Sequence, residues 1–363
     1  MATQQIKFYQ TGTFTIGNRL LPAEQRSVQS DLHRSNALNC GHRACQGCGE
    51  ALGARYAIDA AIRAAKGQLI VANATGCLEV FSTPYPESSW QIPWMHSLFG
   101  NAAAVATGIA AAMKVKGRND VRVVAQGGDG GTVDIGFACL SGMFERGDDV
   151  LYICYDNEAY MNTGVQRSSA TPPAARTATT PAMGEAPGAK FGQGKSVPLI
   201  AMAHNIAYVA TASVGELRDL EAKVEKAVAI RGSRYIHVHV PCPLGWGAAT
   251  NATIKLARLA IQTGLFPLFE AEFGEVTGHT PIRRKAPVQE YLKLQKRFAH
   301  LFSPVQDTAR LASIQAIADA NIRKFGITVE GPPPRAAAER PNGNGSACGS
   351  GCCASCAKED RNA

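Results

Sequence analysis

VRVVAQGGDGGTVDIGF (121–137) carries a β-branched run straight into a cluster of glycines and out again into an apolar stretch with helical spacing. A strand that is apolar without alternation is one covered on both faces, as in a parallel sheet flanked by helices. The same alternation recurs along the chain. QLIVAN (68–73), DVLYICY (149–155), IAYVAT (206–211) and YIHVHV (235–240) read as further strands, and helices are predicted over 51–65, 101–116, 134–146, 216–230, 251–263 and about 306–325. Gly67 ends the first helix, and Ser213 with Glu216 forms a capping box for the fourth. The expected architecture is α/β: a doubly wound, mostly parallel sheet flanked by helices.

The glycine cluster also has a chemistry. Gly128, Gly130 and Gly131 let a backbone approach a phosphate, and N–H groups at the start of the following helix favour negative charge. Asp129 within the cluster adds a carboxylate that can hold Mg²⁺ beside the phosphate oxygens. Twenty-six residues separate Gly130 from Asn157, which lies just past the strand DVLYICY. GDG, one helix, one strand, then Asn is the thiamine diphosphate motif. It sets Asp129 and Asn157 at the carboxyl ends of adjacent strands, where open α/β sheets bind ligands.

The 363 residues are 45% hydrophobic and 18% charged, a globular composition. The apolar run AAAVATGIAAAM (102–113) is too short to span a bilayer, and the first residues lack the pattern of a secretory signal, so a cytoplasmic protein away from membranes is expected. The net charge of +8 is scattered, with Arg283, Arg284 and Lys285 as its longest run, which disfavours nucleic acid as a partner. Segment 162–196 is rich in Thr, Ala, Pro and Gly, and an aperiodic connection of that length is usually functional. GPPPRAAAERPNGNG (331–345) reads as a linker before the cysteine-rich tail, in which Cys348, Cys352, Cys353 and Cys356 crowd together.

Eleven cysteines in a chain expected to stay reduced call for metal or catalytic roles. CGHRACQGCGEAL (40–52) contains a C-x-x-C at Cys45 and Cys48 before a helix, while Cys77 and Cys242 each follow a strand. Four thiolates beside a sheet can hold a [4Fe–4S] cluster or a zinc ion, and Cys77 and Cys242 also fit as small buried residues. Spacing alone leaves these three open.

CQGCGEAL (45–52), NATGC (73–77), PWMHSLFGNAAAVATGIAAA (93–112), GGDGGTVDIGF (127–137), DNEAYMNTGVQRSSATP (156–172), PCPLGWG (241–247) and EYLKLQKRF (290–298) together resemble, in order and spacing, the β subunit of 2-oxoacid:ferredoxin oxidoreductases, the pyruvate type most closely. The resemblance covers about residues 30–320. It implies a thiamine diphosphate domain of the pyrophosphate-binding kind, with a [4Fe–4S] cluster on Cys45, Cys48, Cys77 and Cys242. It further implies Mg²⁺ on Asp129, Asn157 and the carbonyl of Ala159, with Thr75, Gly76, Gly128, Gly130 and Gly131 around the cofactor. Asn162, Gln166 and His96 become candidates for the substrate side, against ordinary loop hydrogen bonding for the first two and a structural histidine for the third.

The implied reaction is oxidative decarboxylation of a 2-oxo acid with CoA to acyl-CoA and CO₂, electrons passing to ferredoxin or NAD through partner subunits. Pyruvate is the expected substrate, with branched or aromatic 2-oxo acids such as phenylglyoxylate as variants. The implied partners are a pyrimidine-binding α subunit, a γ subunit and a ferredoxin-like δ subunit. The expected organisation is an N-terminal extension (1–30), the cofactor-binding α/β domain (31–265), a C-terminal helical extension (266–330), and the linker with its tail (331–363). Two rival readings remain: a non-redox thiamine diphosphate decarboxylase or synthase, which has no use for the four cysteines, and a zinc-stapled binding module, which leaves GDG and Asn157 unexplained.

Overall fold

The computed structural model describes residues 36–84, 87–184, 187–190 and 194–330; the expected N-terminal extension, the linker and the cysteine-rich tail lie outside them. In chain order the main elements are α1 (Gly49–Ala64), β1 (Leu69–Asn73), α2 (Cys77–Ser82), β2 (Trp94–His96), α3 (Ala102–Val115), β3 (Arg122–Gly128), a π-helical turn (Gly130–Ile135) and α4 (Phe137–Glu145). There follow β4 (Val150–Asp156), α5 (Val197–Ala203), β5 (Tyr208–Ser213), α6 (Leu217–Ala229), β6 (Arg234–His239), α7 (Pro243–Trp246) and α8 (Thr253–Thr263). A hairpin of β7 (Phe269–Glu272) and β8 (Glu275–His279), then α9 (Val288–Leu292), a 3₁₀ segment (Lys296–Leu301) and α10 (Thr308–Lys324) complete the described chain.

The strands form one eight-stranded sheet in the order β2-β1-β3-β4-β6-β5-β7-β8. The first six are parallel and the last two antiparallel. β4 is buried along its whole length, as its unalternating sequence requires. On one face α1 and α6 cover Val71, Val124, Ile153 and Ile236 with Ala54, Ile58 and Val224. On the other, α3, α4 and α5 cover Val123, Tyr152 and Tyr235 with Ala106, Leu140 and Ala201. Each large aliphatic side chain so enclosed contributes about 1.5–3 kcal/mol. A third cluster, around Trp246, Leu256, Tyr291, Phe298 and Leu311, packs the segment after α8 against the end of β6.

Three expectations need correction. Helix 134–146 does not begin as an α-helix: residues 130–135 form a π turn closed by Gly136 N–H on the Gly131 carbonyl at 2.9 Å, because Gly136 lies against the Gly131 and Gly100 carbonyls and leaves no room for a Cβ. The capping box is absent: α6 starts after Glu216, whose side chain makes no cap bond, while the Ser213 hydroxyl accepts from Gly215 N–H in a tight turn. The segment 266–330 is not purely helical, since it opens with the β7–β8 hairpin, which pairs with β5 and extends the sheet across the expected boundary at 265.

Candidate cofactor site

β1, β3, β4 and β6 lie side by side in the sheet, and the chain leaves their carboxyl ends at Ala74–Cys77, Asp129–Gly131, Asn157–Ala159 and Pro241–Cys242. The strings NATGC, GGDGG, DNEA and PCPLG are therefore delivered to one end of four adjacent strands, where Cys45 and Cys48 join them from the start of α1, and there the residues divide between two adjoining hollows.

The first hollow is lined by Thr75, Gly76, Gly128, Asp129, Gly130, Gly131, Asn157, Ala159 and Asn162 of the expected set, with Glu50, Cys77, Phe99, Tyr160, Met161 and Thr163 besides. Asp129 and Asn157 are buried, and each has a side-chain oxygen, Oδ1 in both, without a hydrogen-bond partner. Buried oxygens are rarely left so unless a cation or a ligand group meets them. Their other atoms are fixed: the Ser168 hydroxyl donates to Asp129 Oδ2, and Asn157 Nδ2 donates to Glu50 Oε2 at 3.1 Å. Burial, then the nearby Asp156 and Glu50 carboxylates, pushes the Asp129 carboxyl well above the usual range, so a positive charge would relieve the site. Gly130 is pressed by Tyr160, whose ring stands 2.5 Å from where a Cβ would lie, and Tyr160 in turn packs on Phe99 at 5.8 Å.

The long connection after Asn157 closes this hollow from outside. Asp134 in the π turn accepts from Ser169 N–H at 2.9 Å and pairs with Lys195 at 3.0 Å, and the Thr171 hydroxyl donates to the Glu158 carbonyl at 2.6 Å. Two candidates stand apart from the lining. Gln166 turns back on Thr163, accepting its hydroxyl at 2.6 Å and donating to its carbonyl at 3.0 Å. His96 Nε2 lies 2.8 Å from Thr75 Oγ1, at the rim rather than in the hollow.

The second hollow, of about 140 Å³, is lined by Cys45, Cys48, Cys77 and Cys242 with Arg43, Val80, Phe81, Asn162, Pro241 and Leu244. Ala51 N–H donates to Cys48 Sγ at 3.4 Å and Gly245 N–H to Cys242 Sγ at 3.3 Å, bonds that favour thiolates. Burial and then the Glu50 carboxylate push Cys48 up to about 12, and the same two causes head the upward shift of Cys77. For Cys242 burial leads, and Glu50 and Cys45 add to it. Such thiols give up their protons to a metal rather than to water. Among the described residues no three His, Cys, Asp or Glu side chains converge tightly enough to hold one ion, so the thiols line a basin instead of surrounding a point. The remaining described cysteines differ: Cys154 is buried in β4, Cys139 is half-buried, and Cys40 is exposed.

Glu50, at the start of α1, lines both hollows and is wholly buried; burial raises its carboxyl to about 8. Sequence reading passed over it and Ser168. A buried carboxylate two residues after a C-x-x-C was available as a signal for Glu50, whereas Ser168 sits 39 residues from Asp129 with no pattern linking them.

Residues 74–238 match the family described as thiamine pyrophosphate enzyme, C-terminal TPP binding domain. The chain is 51% identical over 289 residues to pyruvate synthase subunit PorB of Methanosarcina barkeri, covering 79% of this chain and 96% of that protein. It is 46% identical to pyruvate synthase subunit PorB of Pyrococcus furiosus and 46% identical to ketoisovalerate oxidoreductase subunit VorB of Pyrococcus abyssi, covering 86% and 85% of those proteins and 72% of this chain in each case. Among solved structures, a 2-oxoglutarate:ferredoxin oxidoreductase from Magnetococcus marinus aligns at 26% identity and TM-score 0.47 over 56% of this chain and 65% of that one. No described helix is long and apolar enough to cross a membrane. With GDG and Asn157 on neighbouring strand ends and half of the aligned residues shared with such a protein, the chain belongs to the thiamine diphosphate-binding β subunits of 2-oxoacid:ferredoxin oxidoreductases of the pyruvate synthase type, enzymes that work as multisubunit complexes.

Proposed function

We propose that this subunit holds Mg²⁺–thiamine diphosphate in the first hollow and a [4Fe–4S] cluster in the second, and serves the oxidative decarboxylation of pyruvate with CoA to acetyl-CoA and CO₂. The observation that carries this reading is the pair of partnerless buried oxygens, Asp129 Oδ1 and Asn157 Oδ1, one Glu50 side chain away from a basin of four thiols. The donor sets fit their groups: a hard oxygen pair with the Ala159 backbone beside it suits Mg²⁺, and four thiols lining one basin suit a [4Fe–4S] cluster. When bound, thiamine diphosphate supplies the nucleophile and electron sink that cleave a 2-oxo acid, and the cluster accepts the electrons singly.

The chain's own residues do the rest. Asp129 and Asn157 would hold the metal and with it the diphosphate, and Gly130 and Gly131 would line the group as glycines because Tyr160 and Phe99 fill the space a Cβ would need. Phe99, Tyr160 and Met161 keep water from the hollow, and Asn162, which borders both hollows, is positioned to touch substrate. His96 and Gln166 hold the rim in shape through Thr75 and Thr163. The N–H groups that bond Cys48 and Cys242 would tune a cluster held there. Partner subunits supply the pyrimidine-binding half of the site, the further redox centres and the contact with ferredoxin or NAD.

Pyruvate is placed ahead of 3-methyl-2-oxobutanoate on the 51% identity to the Methanosarcina barkeri pyruvate synthase subunit; the Pyrococcus subunits for the two acids do not discriminate, each being 46% identical to this chain. The test is CoA-dependent reduction of a one-electron dye by the anaerobically purified complex, with each 2-oxo acid in turn. Higher kcat/KM with pyruvate is expected. Preference for the branched acid would overturn the substrate, and 2-oxo acid cleavage without any dye reduction would overturn the redox reading.

A further inference from the structure

Glu158 lies between Asn157 and Ala159, yet it faces away from both hollows. Its φ of +68° is in the left-handed region, which a residue with a side chain occupies only when its surroundings hold it there. This kink lets the residues on either side, Asn157 and Ala159, line the same hollow. The Glu158 carboxylate enters a buried pocket behind the loop, where it pairs with Arg297 and lies 3.6 Å from His239 Nε2.

Arg297 comes from the 3₁₀ segment that follows α9, far along the chain. Its side chain is 4% exposed, its Nε donates to Gln295 Oε1 at 2.9 Å, and its guanidinium lies on the Trp246 ring at 3.9 Å. The Trp246 Nε1–H donates to the Asn157 carbonyl at 2.9 Å. One guanidinium thus grips the loop twice, through the Glu158 carboxylate and through the indole that holds Asn157. A buried ion pair gains little stability over apolar side chains of the same size. What a planar, forked and stacked cation adds is direction.

We infer that Arg297 is a positioning residue for the metal site, holding residues 157–159 in the kinked form that turns Asn157 and Ala159 toward the same hollow. The inference rests on the reading of that hollow as the Mg²⁺–thiamine diphosphate site. It gives the segment after α9 a task in cofactor binding although it contributes no residue to either hollow.

The test is a magnesium titration of the purified complex at fixed thiamine diphosphate, followed by calorimetry, with iron per β subunit measured on the same samples. Arg297→Met is expected to weaken magnesium binding by about 10- to 100-fold, as loss of an outer partner of a metal ligand does, with iron unchanged. Arg297→Lys, which keeps the charge without the fork, should fall between Arg297→Met and wild type. Should Arg297→Met fail to assemble because Glu158 is left unpaired, the double variant Glu158→Gln with Arg297→Met removes both charges and is expected to show the same magnesium defect. Wild-type magnesium affinity in either folded variant, or parallel loss of iron and magnesium, overturns the inference and leaves the site reading intact. A wild-type complex that binds no thiamine diphosphate overturns both.

Discussion

The two hollows share a wall and an end of the sheet, but they are built in opposite ways. The metal-binding end of the diphosphate cradle comes from two short stretches, 128–131 and 157–163, on strands paired directly with one another, and Glu50, Thr75, Gly76, Cys77 and Phe99 complete its lining. The thiol basin collects Cys45 and Cys48 from the start of α1, Cys77 from the chain after β1 and Cys242 from the chain after β6. The Asp129–Asn157 pair at the base of the cradle is a local object that needs one strand pair in register. The basin exists only once the whole sheet is ordered, because β3 and β4 lie between the strands that deliver Cys77 and Cys242. A single-residue change should therefore empty one hollow and spare the other, and only a residue common to both should disturb both.

The largest separations come from the ligands. Asp129→Ala should lower magnesium affinity by more than about 100-fold, beyond what loss of an outer partner costs, with iron per subunit unchanged by metal analysis. Cys242 lines only the thiol basin, and Cys242→Ala should do the reverse, removing the about four irons of one cluster while thiamine diphosphate binding by calorimetry stays near wild type. Gly130→Ala is intermediate: its Cβ would meet the Tyr160 ring at 2.5 Å, so thiamine diphosphate binding should fall about tenfold as a misplaced binding group costs on the order of 1.4 kcal/mol. Ser168→Ala removes only the hydroxyl on Asp129 Oδ2 and should weaken magnesium by a few-fold, seen in the same titration.

The smallest effect is a pH slope. Asp129 and Glu50 have carboxyls raised in the folded chain by burial, Glu50 to about 8. The folded state then holds protons that the unfolded chain releases, so metal-free stability falls as pH rises from the ordinary carboxylate range toward about 8. Chelation should lower the thermal midpoint more at pH 8 than at pH 6, and Glu50→Gln should flatten that difference.

This contrast also explains what could be read from the sequence. Strands β1, β3, β4, β5 and β6 announce themselves because burial on both faces forces continuous apolar runs, and Asp129 and Asn157 because one helix and one strand fix their distance. The β7–β8 hairpin was hidden: FEAE and EVTGH carry charges at a sheet edge, where one face meets water. The π turn was hidden because Gly136 is required by packing on the Gly131 and Gly100 carbonyls, a contact with no local signature. The four thiols were legible as residues but not as a basin, since spacing says nothing about which strands become neighbours. Arg297 was legible only within a resemblance string, its contact with Glu158 spanning 139 positions.

The central claim is that one subunit carries two independent cofactor sites on adjacent strand ends. Iron, acid-labile sulfide, zinc and thiamine diphosphate should be counted in anaerobically purified complexes containing wild type, Asp129→Ala or Cys242→Ala. The account predicts about four irons fewer per subunit in Cys242→Ala only and loss of thiamine diphosphate in Asp129→Ala only. Equal iron in wild type and Cys242→Ala, or zinc in place of iron, would contradict it.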